Sequence, residues 1–223
     1  MRITRTGIAL VAGLILMAGA AQPAAAQQRP ITFDARGGIG LPVGDLGSVG
    51  DAGPAFNVNV NFGLNDRLFI RTGGGAELYD GFGVSQALGS EGINDLELNL
   101  VHLDAGLLYQ LTRPEESGFF ASVNATGGVA NLNVPRVSTS VGASAVEIDI
   151  SELYPSAAVG LTGGYTISEQ VDVYLDAQGY AVFGDEEDTA DLVQVYNDRA
   201  DDDVDGLSTM YSVPLTAGVR LHF

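Results

Sequence analysis

The sequence predicts an all-β protein, an eight-stranded antiparallel up-and-down barrel that spans a membrane. Three observations predict this fold class. Apolar residues recur with a period of two in eight segments, short and long connections alternate between those segments, and the last segment, 211–223, alternates over its whole length. No helical periodicity of comparable strength interrupts the pattern.

The eight segments fix the expected order of strands along the chain. In the last of them the odd positions are apolar or aromatic, and the positions between carry mostly small or polar residues. Its 12 steps of about 3.3 Å, tilted by about 40°, rise about 30 Å, which matches the hydrocarbon core of a bilayer. The predicted segments are 31–41, 56–62, 68–78, 101–111, 119–129, 157–167, 171–178 and 211–223.

The connections predict an up-and-down order with two unlike ends. Short turns are expected at 64–67, 112–118 and 168–170, and long connections at 42–53, 80–95, 131–153 and 184–207. All long connections then fall at one end of the array, and both chain ends fall at the other. Outer-membrane barrels have short periplasmic turns and long extracellular loops, so both termini are expected in the periplasm. The segment 131–153 is predicted to extend its two strands as a hairpin.

A soluble barrel would show the same alternation but would bury its apolar face. Three features favour an apolar exterior. The polar face carries mostly Asn, Ser, Thr, Gly and Gln with few charges, aromatic residues cluster near both strand ends, and the last segment has the height of a membrane. The apolar face is therefore predicted to contact lipid.

Composition restricts the classes of function. Of the 223 residues, 46% are apolar, which is too many for a disordered chain. The 28 acids oppose 10 basic residues, all Arg, and give a net charge of −18, so nucleic acid is not an expected partner. Cysteine is absent, which excludes disulfides and thiolate chemistry. No motif in the sequence implies a cofactor.

The first 26 residues predict a secretory signal peptide. Arg2 and Arg5 precede an apolar run over 7–20, and small residues ending at Ala26 supply a cleavage site. A membrane anchor is the alternative, but the run is shorter than the roughly 20 apolar residues of a spanning helix. The expected mature protein is one barrel domain over 27–223, exported into a Gram-negative envelope.

Two segments resemble the small outer-membrane β-barrel families of the OmpA transmembrane domain, OmpX/Ail and OmpW. They are the opening 37–46 and the C-terminal 211–223, and the resemblance spans about 28–223. It implies an integral protein of the outer-membrane lipid. Because no segment follows the last predicted strand, a peptidoglycan-binding domain like that of full-length OmpA is not expected. The resemblance also implies that the terminal strand is recognised by the barrel-assembly machinery through Tyr211, Val213, Leu215, Val219, Leu221 and Phe223.

The sequence contains no motif that assigns chemistry, and we therefore expect a structural or surface-interaction role. A narrow channel for small or apolar solutes, as OmpW-like barrels are thought to be, is the alternative. A lipid-modifying barrel enzyme is a further alternative, because His102 and Asp104 share a strand face and Ser122 is a candidate nucleophile. The serine motifs of those enzyme families are not visible, which favours a polar pair over a catalytic one.

Charged residues on the polar face predict a network inside the barrel. Eight strands leave a lumen just wide enough for side chains to fill, and buried charges need partners. We therefore expect an Arg–carboxylate network that closes the lumen, with a gate for ions or small solutes as the alternative. Its predicted members are Asp34, Arg36, Arg71, Glu77, Asp104, Asp176 and Arg220.

The last long connection is strongly acidic. Within 185–205 there are ten acids and one Arg, and 201–206 has the D-x-D-x-D-G pattern that begins an EF-hand calcium loop. Position 12 of that pattern is Ser212 instead of Glu, which argues against an EF-hand. A looser site for divalent cations and a solvated acidic loop both remain open.

Overall fold

A computed structural model describes residues 30–80, 97–112, 118–141, 144–185 and 208–223, which form one antiparallel sheet closed on itself. A short helix interrupts the connection after the first strands. The elements are β1 Ile31–Gly40, β2 Pro42–Val43, α1 Asp45–Val49, β3 Gly53–Gly63, β4 Leu68–Asp80, β5 Glu97–Gln110, β6 Gly118–Val141, β7 Ser144–Ser168, β8 Val171–Phe183, β9 Thr209–Ser212 and β10 Leu215–His222.

The ten strands make up eight crossings of the barrel wall, which we call staves. β1 and β2 together form the first stave, β9 and β10 form the last, and β3 to β8 are one stave each. Every pairing is antiparallel and joins staves that are consecutive along the chain, except that the last stave closes the ring on the first through β10–β1 and β9–β2. The predicted fold class, an all-β eight-stranded antiparallel up-and-down barrel, is confirmed.

Proline divides the last stave, which the sequence predicts as one unbroken strand. Pro214 has no backbone N–H, so it cannot donate to the hydrogen-bond ladder. The ladder resumes on both sides, because Leu41 and Val213 exchange two backbone hydrogen bonds of 3.3 and 2.8 Å. The stave therefore keeps its register across the interruption.

Following paired residues once around the barrel shows its stagger. From Phe33, the partners lead back to the first stave at Val43, ten residues further along. Such a stagger requires strongly tilted strands, typically by about 35–45° in barrels. The path passes through Val60, Thr72, Ala105, Gly127, Ala157, Ala181 and Tyr211.

Burial alternates along the strands with the polar side inward. In β3, Asn57, Asn59 and Asn61 are buried, whereas Phe56 and Val58 are exposed. The same pattern covers β8, where the even positions from 172 to 182 are buried. The predicted outward orientation of the apolar face is confirmed.

Two of the predicted long connections contain regular structure. The segment 131–153 lies within β6 and β7, which remain paired up to Val141 and Ser144, so the predicted hairpin extension is observed. The segment 42–53 contains β2 and the five-residue α1, which begins after Gly44 at a positive φ of 64°. α1 packs beside β2 and β9 with Leu46 buried. No helix among the described residues is long and apolar enough to cross a membrane.

Candidate functional site: the barrel lumen

Six charged side chains form a balanced cluster inside the barrel. Three arginines face three aspartates, and all six are buried. Burial of charges is costly unless they are paired and hydrogen-bonded. Each of the six has a partner of opposite charge, although Arg71 Nη1, Arg220 Nη1 and Asp172 Oδ1 have no hydrogen-bond partner among the described residues. We call it the lumen ion cluster; its members are Asp34, Arg36, Arg71, Asp172, Asp176 and Arg220.

Arg220 occupies the closing seam of the barrel, where the first and last strands meet. It lies directly opposite Asp34 on β1 and Asp172 on β8. Its Nε donates to Asp34 Oδ1 at 2.7 Å, and its Nη1 lies 4.0 Å from Asp172 Oδ2. The guanidinium also lies 5.4 Å from the ring centroids of both Phe120 and Tyr174, within cation–π range.

The other two arginines of the lumen ion cluster bind carboxylates on different strands. Arg71 Nη2 lies 3.4 Å from Asp34 Oδ2, which also accepts a hydrogen bond from Asn61 at 3.0 Å. Arg36 donates to Asp176, whose other oxygen accepts from the Thr162 hydroxyl at 2.5 Å. These contacts connect the first stave to β4, β3 and β8 across the lumen.

A second group of polar side chains lies nearer to the long connections. Glu77 accepts hydrogen bonds from the hydroxyls of Tyr79 and Ser212, the latter at 3.0 Å. His102 Nδ1 lies 2.5 Å from Asp104 Oδ2, and Tyr180 donates to Asp104 at 3.2 Å and contacts Ser156 at 2.9 Å. We call this group the loop-side polar cluster; its members are Glu77, Tyr79, His102, Asp104, Ser156, Tyr180 and Ser212.

The seven residues predicted for the lumen network all lie on the inward face, in these two groups. Asp34, Arg36, Arg71, Asp176 and Arg220 belong to the lumen ion cluster. Glu77 and Asp104 belong instead to the loop-side polar cluster, with hydroxyl and imidazole partners. The six residues of the predicted assembly signal lie on the outer side of the last stave: Val213 is half-buried, and exposed are Tyr211, Leu215, Val219, Leu221 and Phe223.

Beyond the loop-side polar cluster the inward face becomes apolar, a feature that the sequence analysis missed. On β5, Leu98 and Leu100 are buried ahead of His102, and on β8 Val182 is buried beyond Tyr180. These side chains close the lumen at the end that carries the long connections. We call them the apolar plug; its members are Leu98, Leu100, Leu132, Tyr154, Val182 and Met210.

Removing part of the apolar plug should destabilise the barrel. Leu100 is 2% exposed, so Leu100→Ala leaves a cavity, and we expect a loss of about 2–5 kcal/mol in the free energy of unfolding. The neighbouring Val101 is 48% exposed on the outer face, and Val101→Ala is the matched control. Urea titration of the refolded barrel in detergent measures both. Equal midpoints for the two variants would contradict an apolar plug.

On β5 and β6 the outer face changes from apolar to polar at the level where the inward face becomes apolar. Apolar outward residues run from Val101 to Leu111 along β5, about 33 Å of strand, or about 25 Å of height at a tilt near 40°. Above Val101 the outward position is Asn99, and on β6 the outward positions after Val129 are Asn131 and Asn133. A band of that height is the one expected for an outer-membrane barrel.

Aromatic side chains mark both edges of this apolar band. Phe119, Tyr165 and Phe223 are exposed near the short turns, and Phe119 and Tyr165 pack edge to face at 5.1 Å. Phe56 and Tyr211 are exposed near the long connections. Such belts lie at the two membrane interfaces of transmembrane barrels.

The geometry brings the candidate catalytic residues His102 and Asp104 together but leaves the candidate nucleophile Ser122 far from them. The strand partner of His102 is Ala130, whereas Ser122 pairs with Gln110 at the other end of β5. Eight residues of strand separate Ala130 from Ser122, about 26 Å. The acidic segment after Asp185, including 201–206, and the predicted signal peptide lie outside the described residues.

Several lumen residues escaped the sequence analysis. Asp172 shares the inward parity of Asp176 on β8, so the alternation alone could have identified it. Phe120 and Tyr174, which flank Arg220, carry the same parity signal, but only the fold places them beside the guanidinium. The pairing of His222 Nε2 with Asp172 at 2.8 Å likewise depends on the closing seam.

A closed eight-stranded barrel with an apolar exterior and a polar, side-chain-filled lumen defines the class of small outer-membrane β-barrels. Neisserial surface protein A shares this fold, with 13% identity, a TM-score of 0.51 and coverage of 88% of this chain and 100% of that one. The N-terminal barrel of Pseudomonas aeruginosa OprF (16% identity, 88% and 98% coverage, TM-score 0.45) and Ail of Yersinia pestis (9%, 88% and 100%, 0.47) are also similar. No protein-family model and no curated protein sequence matches the chain.

Proposed function

We propose that the protein is an integral outer-membrane barrel with a structural or surface-interaction role and no chemistry of its own. The observation that carries this proposal is a lumen filled with buried side chains. Along the strands, the lumen ion cluster, the loop-side polar cluster and the apolar plug follow one another from the turn end to the loop end. A cavity between Arg36, Glu77 and Asp176 measures about 10 Å³, room for at most one water molecule.

The β6–β7 hairpin supports the surface-interaction part of the proposal. β6 pairs with β5 only as far as Asn133, and β7 pairs with β8 only from Ser156 onward. The backbone of 134–141 and 144–155 therefore has outer edges without a strand partner among the described residues. An unpaired edge can add a strand from another protein. With the long connections outside the cell and the termini in the periplasm, this hairpin faces the surroundings.

Conductance in planar bilayers tests the closed lumen. We expect the refolded mature protein, shown to be inserted by heat-modifiable gel mobility, to give no discrete openings, because charged pairs and apolar side chains fill its interior. Discrete openings that change in Arg220→Ala would contradict the structural proposal and favour the narrow channel. A protein that stays soluble without detergent would contradict membrane residence itself.

A further inference from the structure

The outer wall of the barrel contains a hollow that the proposed structural role does not use. It lies across β7, β8, β9 and β2, in the half of the apolar band nearer to the long connections. Its volume is about 470 Å³, and apolar groups line it almost entirely. We call it the wall groove; its outward-facing lining includes Val43, Ala157, Val159, Gly179, Ala181 and Tyr211.

Small side chains on two adjacent strands create the wall groove. Ala157 on β7 pairs with Ala181 on β8, and Gly179 follows in the next row beside Val159. A Cβ atom at Gly179 would meet only Val159 Cγ2, at 4.0 Å. Gly128 differs, because a Cβ there would lie 2.0 Å from the Leu103 carbonyl oxygen. Strand packing therefore does not require glycine at 179, although glycine weakens a strand.

The dimensions of the wall groove restrict what can occupy it. The floor of the wall groove is formed by the small residues of two strands, Ala157 on β7 and Gly179 and Ala181 on β8. Neighbouring strands lie about 4.8 Å apart, so this floor is too narrow for an α-helix about 10 Å across. A convex second barrel would touch only its rims, and a stable protein interface buries about 1,200–2,000 Å². A flexible hydrocarbon chain fits the width, and the groove is continuous with the band that contacts lipid.

We propose that the wall groove binds one acyl chain of the surrounding membrane lipid. This inference rests on the proposed membrane residence. The apolar lining excludes headgroups from the groove, so selectivity is for the hydrocarbon chain. Tyr211, half exposed at the loop-side edge of the band, lies at the level where the chain joins its polar headgroup.

The absence of tryptophan allows a direct test by fluorescence quenching. Tyr211→Trp places a single reporter in the wall groove, and Tyr109→Trp places one on the outer wall of β5, away from it. Both are reconstituted in phosphatidylcholine vesicles that contain a small fraction of lipid with brominated acyl chains. The quenching of Trp fluorescence gives the apparent affinity for brominated chains. We expect this affinity to be at least about twofold higher in Tyr211→Trp than in Tyr109→Trp, because a chain in the groove is buried on more sides.

Filling the groove supplies the second arm of the experiment. Gly179→Leu in the Tyr211→Trp background should reduce quenching to the level at Tyr109→Trp. Gly163→Leu adds the same side chain to open space on β7 outside the groove and should leave quenching unchanged. Equal quenching of both reporters would overturn the acyl-chain site but leave membrane residence standing. Quenching of neither would overturn both, and a dimer disrupted by Gly179→Leu in native mass spectrometry would assign the groove to a second copy.

Discussion

Arg220→Ala should lower the free energy of unfolding by about 3–5 kcal/mol, because the buried Asp34 keeps only its 3.4 Å contact with Arg71, and the buried Asp172 loses its nearest arginine. The substitution also removes the guanidinium from between Phe120 and Tyr174. Urea midpoints of the refolded barrel in detergent, read by heat-modifiable gel mobility, measure the loss. Arg67→Ala is the control, since Arg67 is exposed in a turn and should change stability by no more than about 0.5 kcal/mol.

Comparison of Arg220→Met alone with a double variant separates the loss of packing from the loss of charge pairing. Arg220→Met with Asp34→Asn retains side-chain volume and removes one uncompensated buried charge. We expect it to recover part of the stability lost in Arg220→Ala, as replacement of both partners usually costs less than removal of one. If Arg220→Ala unfolds at the same urea concentration as Arg67→Ala, the lumen ion cluster does not stabilise the seam.

Leu161→Arg should destabilise the barrel in lipid by about 2–4 kcal/mol, whereas Leu153→Arg should cost no more than about 1 kcal/mol. Both leucines face outward on β7 with similar exposure, 57% and 64%. Leu161 lies near the middle of the apolar band and Leu153 lies at its loop-side edge. The cost of a charge on a lipid-facing wall depends on depth, so the same substitution gives two results.

Unfolding in urea from lipid vesicles measures this difference. A water-soluble barrel would tolerate arginine equally at both exposed sites, so the comparison tests the lipid-facing assignment directly. Equal and small effects would contradict it. A large effect at Leu153 as well would place the loop-side membrane boundary further toward the long connections.

Period-two alternation was sufficient to predict the number of staves and their order, and the few charges on the polar face together with the aromatic positions predicted which face points outward. The direction of a side chain follows from its parity alone, and that is why the positions of Asp34, Arg71 and Arg220 on the inward face could be predicted. The partners of these side chains could not be predicted, because they depend on the stagger of the strands around the barrel. Glu77 and Asp104 share the parity of the arginines yet have other partners.

The apolar plug was missed for a related reason. In β5, Leu100 and Val101 are consecutive apolar residues, so the hydrophobic phase changes sides between them. A prediction from alternation assumes that the apolar residues keep to either odd or even positions along a strand. It therefore interprets a change from one to the other as the end of the strand. The predicted segment therefore begins at 101, whereas β5 begins at Glu97. The interruption at Pro214 was hidden similarly, since proline disturbs the ladder but not the parity.

The closing seam also constrains the order of events in folding. Asp34 and Arg220 are separated by 186 positions in the chain, and the ring is complete only when the staves that carry them pair. The entropy lost in closing so long a loop opposes early pairing, and local hairpins such as β6–β7 avoid that loss. Assembly should therefore run from hairpins to an open sheet and then to a ring. The rate of ring closure should therefore depend on the side chains of a few residues at the seam.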